Sequence, residues 1–414
     1  TFAVYGPNGF VRVFSGNVSA PAAPHRNPAQ PEVKAGYDVA NGNITLRLMN
    51  RGHKAVRLKV TNAYDHGRAR TFDLAPGQQV DDYWDLRGSH GWYDLTVSDG
   101  RLLGYDFTTR YPSNDAPLLA ALLTGTIAPE PRVFEMGDRT AVSPYASPHR
   151  RFVCEDLAPL VRASWLRGVS ALPNSFAHDA FVDECAALTG VDPLAFRLRH
   201  LRDTRATELL QAVADRAGWT PRVPGAPHDP ATSRLVRGRG IAYARYVHSR
   251  FPGFGAAWSA WIVDLSVDRV SGEIRIERVT VGQDTGTMIN PDGVRHQIHG
   301  NVIQVLSRTL KERVRFADGK VASREWASYP ILTFAEVPDV DVVLMPRQGE
   351  PPLGAGESAS VPGPAAVANA LFDATGVRFY APPFTPETVR AALRDAGRLM
   401  KADGGGVQVA TGTA

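Results

Sequence analysis

Pro352-Leu353-Gly354-Ala355-Gly356-Glu357-Ser358-Ala359, followed by a helix-like run from Pro364 to Thr375, is the stretch on which the reading of this chain turns. Two glycines flank Ala355 directly before one carboxylate. Glycine lets backbone turn, and approach a ligand, where a side chain would clash. The helix that follows is expected to aim its free N–H groups and positive dipole end at the same corner. Glu357 then sits among backbone groups, away from bulk water, with reason to carry a raised pKa and act as a general base. Taken alone, the same residues also read as a Gly-rich turn with a surface glutamate.

Upstream of that corner the second half of the chain mixes strands and helices. Asn174 to Leu188 reads as an amphipathic helix, with Phe176, Ala180, Phe181, Cys185 and Leu188 as one buried stripe. Asp192-Pro193 caps and starts a second helix, and Thr204 to Ala217 forms a third. Strands follow at Gly240–Ala244, Trp258–Leu265 and Ile274–Val279, the last two joined by a hairpin turn. A helix runs from Pro291 to about Thr309 with Val294, Ile298, Val302, Val305 and Thr309 on one face, and a strand covers Val340 to Met345. A last helix spans Pro386 to Leu399. The order predicts an α+β region.

The first hundred residues have a different texture. Ile44-Thr45-Leu46-Arg47-Leu48 and Val56-Arg57-Leu58-Lys59-Val60 alternate apolar with polar, as half-buried strands do. Turn signals at Gly6-Pro7-Asn8-Gly9, Asn41-Gly42 and Pro76-Gly77 have the spacing of a β-sandwich. Thr1 to Tyr5 reads as the middle of a strand, so residues 1–20 are expected to end a first sandwich module. A Pro-rich joint from Pro21 to Pro31 separates it from a second module over 33–99. Residues 100–150, Pro-rich and aperiodic beyond 110, are expected to be a linker or arm, and 401–414 a disordered tail. The fold class is therefore multidomain: an N-terminal all-β sandwich followed by an α+β region over 151–400.

Composition narrows the function. The chain has 414 residues, 43% apolar and 21% charged, an ordinary balance for packed domains. A formal charge of +4 with scattered Lys and Arg argues against a nucleic-acid surface. Cys154 and Cys185 are the only cysteines, so no cysteine-only zinc or iron–sulfur site forms within the chain and no side chain is assigned as a metal ligand. No apolar run approaches the ~18 residues of a transmembrane helix.

Two resemblances bear on function. Val4 to Phe10, Tyr37 to Asn43, Trp84-Asp85-Leu86 and Ser89 to Leu95 resemble the C-terminal β-sandwich of bacterial phospholipases C, an appendage whose relatives keep their active site in an upstream domain. His90 and Asp94 fall in this match; turn-building roles are expected for them. Four later stretches, in order, resemble the molybdenum-binding large subunit of the xanthine dehydrogenase/aldehyde oxidase family, in its isoquinoline or nicotinate branch. They are Gly137–Val142 with Leu160–Gly168, Phe181–Glu184 with Asp192–Arg199, Asp284–Asp292 with His296–Asn301, and the glycine corner.

The second resemblance implies the roles. Glu357 matches the catalytic base, which takes the proton of a molybdenum-held hydroxyl before attack on an electron-poor carbon. Gln297 matches an amide that hydrogen-bonds the pterin, offering donors and an acceptor to a heterocycle edge. Arg167 and Gly168 match a loop lying against the metal's ligands. Gly354, Ala355 and Gly356 are expected to face the cofactor, a molybdopterin cytosine dinucleotide. With no iron-binding cysteine set, a small 2Fe–2S subunit is the expected partner, and an N-heterocycle or aldehyde the substrate. The Gly-Gln-Gly stretch and the Gly-rich loop of typical members are missing, so the chain is expected to hold about half of a molybdenum site and to be inactive unless complemented. Leu166 and Val169 replace common phenylalanines, which predicts a less aromatic substrate slot. The competing function is a phospholipase-type lipid- or surface-binding appendage on a passive chain.

Overall fold

The computed structural model describes residues 2–5, 11–14, 31–38, 43–62, 69–85, 95–98, 102, 104–112, 119–127, 137–158, 165–225, 229–248 and 254–400. The expected turns at Gly6–Gly9 and Asn41-Gly42, His90, Asp94, residues 160–164 and the 401–414 tail lie outside them. The chain divides into two compact units, residues 1–105 with 147–149, and residues 106–146 with 150–414. No helix among the described residues is long and apolar enough to cross a membrane.

The first unit is built of antiparallel strands. β1 (Phe2–Tyr5) pairs with β2 (Val11–Phe14). β3 (Pro31–Asp38), β4 (Asn43–Asn50), β5 (Val56–Asn62), β6 (Arg70–Leu74), β7 (Gln79–Asp85) and β8 (Leu95–Ser98) make two three-stranded sheets, ordered β3-β4-β7 and β6-β5-β8. The alternation predicted in β4 and β5 holds. Ile44, Leu46, Leu48, Val56, Leu58 and Val60 are buried and form one cluster with Leu74 and Trp84. Arg47 and Arg57 point outward and pair with the residues directly across the ladder, Asp81 at 2.7 Å and Asp73 at 2.6 Å. Exposed pairs of this kind contribute little; burial of the alternate residues carries the fold.

Within residues 100–150, expected to be a linker or arm, the described residues include regular structure. β9 (Gly104–Pro112) pairs with β10 (His149–Leu157), and α1 (Leu119–Leu123) lies between them in sequence. The turns at 137–146 are pinned to α2 (Ala171–Thr189). Asn174 Nδ2 donates to the carbonyls of Gly137 at 2.8 Å and Arg139 at 2.9 Å, and His178 Nε2 lies 3.1 Å from the Thr140 carbonyl. Proline and turn residues looked like a tether because their partners lie elsewhere in the chain.

The buried face of α2 also differs from the predicted stripe. Phe181 is 43% exposed and Leu188 61%, whereas Asn174, Ser175, His178, Asp179, Val182 and Asp183 are buried. Apolar spacing misleads here because the helix packs through polar groups. Asp179 accepts from Tyr145 Oη at 2.9 Å and from Arg197 at 2.7 Å, and Asp183 from Arg378 at 2.9 Å. α3 (Pro193–His200), which carries Arg197, starts as predicted: Asp192 accepts from the Ala195 N–H at 2.8 Å and Pro193 occupies the first turn.

His178 gives this face a pH signature. Burial lowers its pKa from 6.5 to about 4, against the pull of the Thr140 and Ala141 carbonyls. The folded state holds the imidazole neutral, whereas the unfolded chain protonates it near pH 6.5. The associated stability is present above pH 6.5 and is lost as pH falls toward 4, by about 3 kcal/mol. Urea denaturation from pH 7 to 4 is expected to show that slope in the wild type and a flatter one in His178→Gln; parallel slopes would remove His178 as its source.

The second unit is organised by the four-stranded sheet β11-β12-β13-β16, with β11 (Leu235–His248), β12 (Phe254–Asp268) and β13 (Ile274–Asp284) antiparallel, and β16 (Asp339–Leu344) parallel to β13. α4 (Thr204–Ala217) and α5 (Pro291–Leu310) run over 204–217 and 291–310, close to prediction. Val294, Ile298, Val302, Val305 and Thr309 are buried as expected. A small hairpin, β14 (Phe316–Ala317) and β15 (Lys320–Val321), precedes β16. α6 (Gly363–Thr375) lies against β11, and α7 (Pro386–Asp395) ends the described chain's helices. Glycine permits the close approach of α6. A Cβ at Gly238 or Gly240 would stand 2.1 or 2.2 Å from the carbonyl oxygens of Ala370 and Ala366. That contact sets how closely α6, which follows the glycine corner, lies on β11.

Candidate active site

The corner is held from behind by the loop after β13. Leu353 N–H donates to the Thr285 carbonyl at 2.8 Å, and Thr287 N–H to the Glu350 carbonyl at 3.1 Å. Gly286 has φ +69°, and a Cβ there would meet the Pro351 carbonyl at 2.0 Å. The buried Asp284 anchors this loop through Arg205 and, at 2.8 Å, Arg347. Burial raises its pKa, but the two guanidinium hydrogen bonds outweigh that and hold it below the usual range. Asp284 to Thr287, part of the third quoted stretch, thus have a supporting role.

Beyond the corner the chain does not enter α6 directly. A 3-10 turn, Ser358–Ser360, intervenes, tied down by Trp261 Nε1 on the Ala359 carbonyl at 2.7 Å and by Gln283 Nε2 on Ser358 Oγ at 2.6 Å. Glu357 makes no cap bond to this turn. The amide on Glu357 Oε2 is that of Gly168, at 2.8 Å. Oε1 accepts from the Tyr246 hydroxyl, and Arg139 Nη1 lies 3.9 Å away. Arg139 Nη1 also donates to Tyr246 Oη at 2.9 Å. The Glu357 side chain is 26% exposed, so it is braced from within and open on one side. Burial, then the neighbouring Glu357, push the Tyr246 phenol well above its ordinary pKa.

The other predicted residues gather at the same place. Arg167 Nε donates to the Gly356 carbonyl at 2.7 Å, its Nη2 donates to Gln297 Oε1, and its own carbonyl accepts from Arg308 at 2.7 Å. Burial lowers the pKa of this guanidinium, opposed by the charge of Glu357. Asn301 Nδ2 bridges the carbonyls of Gln297 at 2.6 Å and Gly356 at 3.2 Å. The Gly354 carbonyl accepts from Ser358 Oγ at 3.4 Å, and Ala355 follows in the same loop. All seven residues singled out in the sequence therefore share one neighbourhood. Of the two positions expected to shape a slot, Leu166 is exposed and Val169 buried.

Arg139, Tyr246 and Asn301 were missed. Arg139 and Asn301 lay inside quoted stretches, but nothing local distinguished them. Tyr246 lies on β11 two residues after the buried run Ile241 to Ala244, is itself buried, and reads as core. No signal marked it.

A molybdopterin fits the residues present. None of the backbone N–H groups of Gly354, Ala355, Gly356 and Glu357 donates a hydrogen bond to a described residue. A Cβ placed on Gly356 would meet nothing within 4 Å, so the backbone faces open space. The buried oxygens Asn301 Oδ1 and Gln283 Oε1 have no partner among the described residues. Amides, a guanidinium and free amide N–H groups suit the edge of a heterocycle with anionic substituents. Among the described residues no three His, Cys, Asp or Glu side chains converge on a metal position.

The comparisons agree with this chemistry. Residues 211–338 match the family model of the molybdopterin cofactor-binding domain, and residues 31–108 that of the bacterial phospholipase C C-terminal domain. The second unit carries a molybdopterin cofactor-binding domain and is similar to molybdenum hydroxylase large subunits, and it follows a phospholipase C C-terminal-type domain. Among particular relatives, a nicotinate dehydrogenase subunit of Pseudomonas putida is 58% identical over 318 residues, 76% of this chain and 27% of its own length. Non-hemolytic phospholipase C of Burkholderia pseudomallei is 56% identical over 124 residues, 28% of this chain and 17% of its own. The chain thus spans about a quarter or less of the length of these two curated relatives. Quinoline 2-oxidoreductase from Pseudomonas putida 86 shares the fold, with a TM-score of 0.57 over 72% of this chain and 61% of that one at 15% identity.

Gly168 offers a direct check on the geometry. Its φ is +94°, and a Cβ would lie 3.1 Å from both Ser360 Oγ and Leu172 Cβ. Gly168→Ala is expected to lower stability by about 1–3 kcal/mol, measured by thermal melting. An unchanged melting temperature would mean that the loop relaxes freely.

Proposed function

We propose that the second unit supplies the base-bearing part of a molybdenum hydroxylase, acting in the oxidative hydroxylation of an N-heterocycle or aldehyde with water as the oxygen source. The observation that carries this reading is the Glu357 carboxylate, braced by the Gly168 amide and Tyr246 beside a run of unpaired backbone N–H groups. The 58% identity to a nicotinate dehydrogenase subunit supports a heteroaromatic substrate. When bound, the cofactor supplies an oxygen drawn from water and takes up the electron pair. Glu357 accepts the proton at its carboxylate. Gln297 and the amides of Gly354, Ala355 and Gly356 hold the pterin, and Arg167 fixes Gly356 and Gln297 against each other. The cofactor is a molybdopterin cytosine dinucleotide, and electrons leave through a 2Fe–2S partner subunit. Residues 33–99 form a β-sandwich appended to this region, and the remainder of the molybdenum site comes from sequence not present in this chain.

The competing reading, a lipid- or surface-binding appendage on a passive chain, rests on the match over 31–108, and metal analysis separates the two. The chain, coexpressed with a complementing molybdenum-site segment, a 2Fe–2S subunit and cofactor-insertion machinery, is expected to copurify with molybdenum and to oxidise nicotinate-type rings. Absence of molybdenum under those conditions would overturn the reading.

A further inference from the structure

We propose that Arg139 and Tyr246 are positioning residues for Glu357, a two-step donor relay that fixes the direction of its carboxylate. The inference rests on Glu357 being the base.

The direction of each hydrogen bond follows from the groups themselves. A guanidinium only donates, so the 2.9 Å contact from Arg139 Nη1 uses a lone pair of Tyr246 Oη. The phenol hydrogen is then left for Glu357 Oε1, which as a carboxylate only accepts. Oε2 is held independently by the Gly168 N–H at 2.8 Å. The carboxylate is therefore gripped at both oxygens by separate parts of the fold, β11 and the turn before α2. With two donors on two oxygens, rotation about the last side-chain bond is stopped, while each oxygen keeps a lone pair for an incoming proton.

The relay is itself well founded. The Arg139 carbonyl accepts from Asn174 of α2 at 2.9 Å, and the next residue, Thr140, donates through Oγ1 to the Arg245 carbonyl at 3.0 Å. Arg245 neighbours Tyr246, so one anchor ties the guanidinium's segment to the phenol's strand. Tyr246 is fully buried. With its pKa far above neutrality it keeps its proton and remains a donor. Arg139 adds a positive charge 3.9 Å from Oε1. The chain is Arg139 to Tyr246 to Glu357, each donor orienting the next, as in other catalytic constellations where a third group aligns the second.

Two measurements test this. In the complemented holoenzyme, Tyr246→Phe and Arg139→Gln are each expected to lower kcat about 10- to 100-fold with KM within about threefold, because a misdirected base is lost in the transition state and not in binding. The double variant should fall no further than Tyr246→Phe alone, and Arg139→Lys should recover most of the rate. Independently of activity, crystal structures of the chain carrying Tyr246→Phe or Arg139→Gln should show Glu357 rotated or spread over two orientations. An unchanged Glu357 orientation in both variants, or kcat within threefold of wild type, overturns the relay. Loss of turnover in Glu357→Gln with normal rates in the two relay variants sinks the relay alone; normal turnover in Glu357→Gln sinks the base assignment beneath it.

Discussion

Glu357→Gln is expected to reduce turnover of the complemented enzyme by about 10²- to 10⁴-fold while molybdenum content stays at the wild-type level. The substitution is nearly isosteric. A glutamine oxygen can still accept from the Gly168 N–H, so the turn before α2 and the glycine corner keep their spacing. What is lost is the capacity to take a proton. The amide nitrogen would also face the Tyr246 hydroxyl, which loses its acceptor while Arg139 still donates to it. The groups assigned to the pterin, Gln297 and the amides of 354–356, are untouched, so cofactor retention should not change. Metal analysis beside steady-state rates separates the two effects. Full activity would show that Glu357 is not the base; loss of molybdenum would show that it holds the cofactor.

Arg197→Met is expected to cost about 3–5 kcal/mol in the second unit, the largest single-residue effect on stability. Arg197 is fully buried and bonds the buried Asp179 at 2.7 and 2.9 Å, with Asp183 at 3.5 Å. Burial works against its charge, but Asp179, Tyr145 and Asp183 hold the guanidinium firmly protonated. Methionine fills similar volume yet leaves Asp179 charged without its counterion, and burial already pushes that carboxyl's pKa up. The deficit should therefore shrink at low pH, where Asp179 takes a proton. Asp179→Asn combined with Arg197→Met should be more stable than Arg197→Met alone, because a neutral amide can still meet Tyr145 and the Tyr243 N–H. Denaturant titration of the three variants checks this, and a loss under 1 kcal/mol in the single variant would refute it.

Much of the scaffold was legible from local rules. Asp192-Pro193 and Asn290-Pro291 start helices because an acceptor side chain and a proline suit the first turn wherever they occur. β4 and β5 alternate because a strand has two faces. The four family-like stretches led to Glu357, Arg167, Gly168 and Gln297, which do lie together. Legibility failed where the relevant neighbour is remote. Residues 100–150 looked aperiodic because their partners are β10 and α2. The stripe on α2 was misplaced because its buried face is polar, and a polar residue is recognised as interior only when its counterpart is seen.

The same divide runs through the active site. That a carboxylate would follow two glycines at a tight corner is written in eight consecutive residues, since glycine's freedom and a helix start depend only on near neighbours. Which groups grip that carboxylate is not. Gly168 reaches it across 189 positions and Tyr246 across 111. Packing of α6 onto Gly238 and Gly240 brings those segments within hydrogen-bond reach. Hydrogen bonds act over about 3 Å of space and carry no trace in sequence separation, so folding chose the partners of Glu357, while short-range stereochemistry had already chosen its corner.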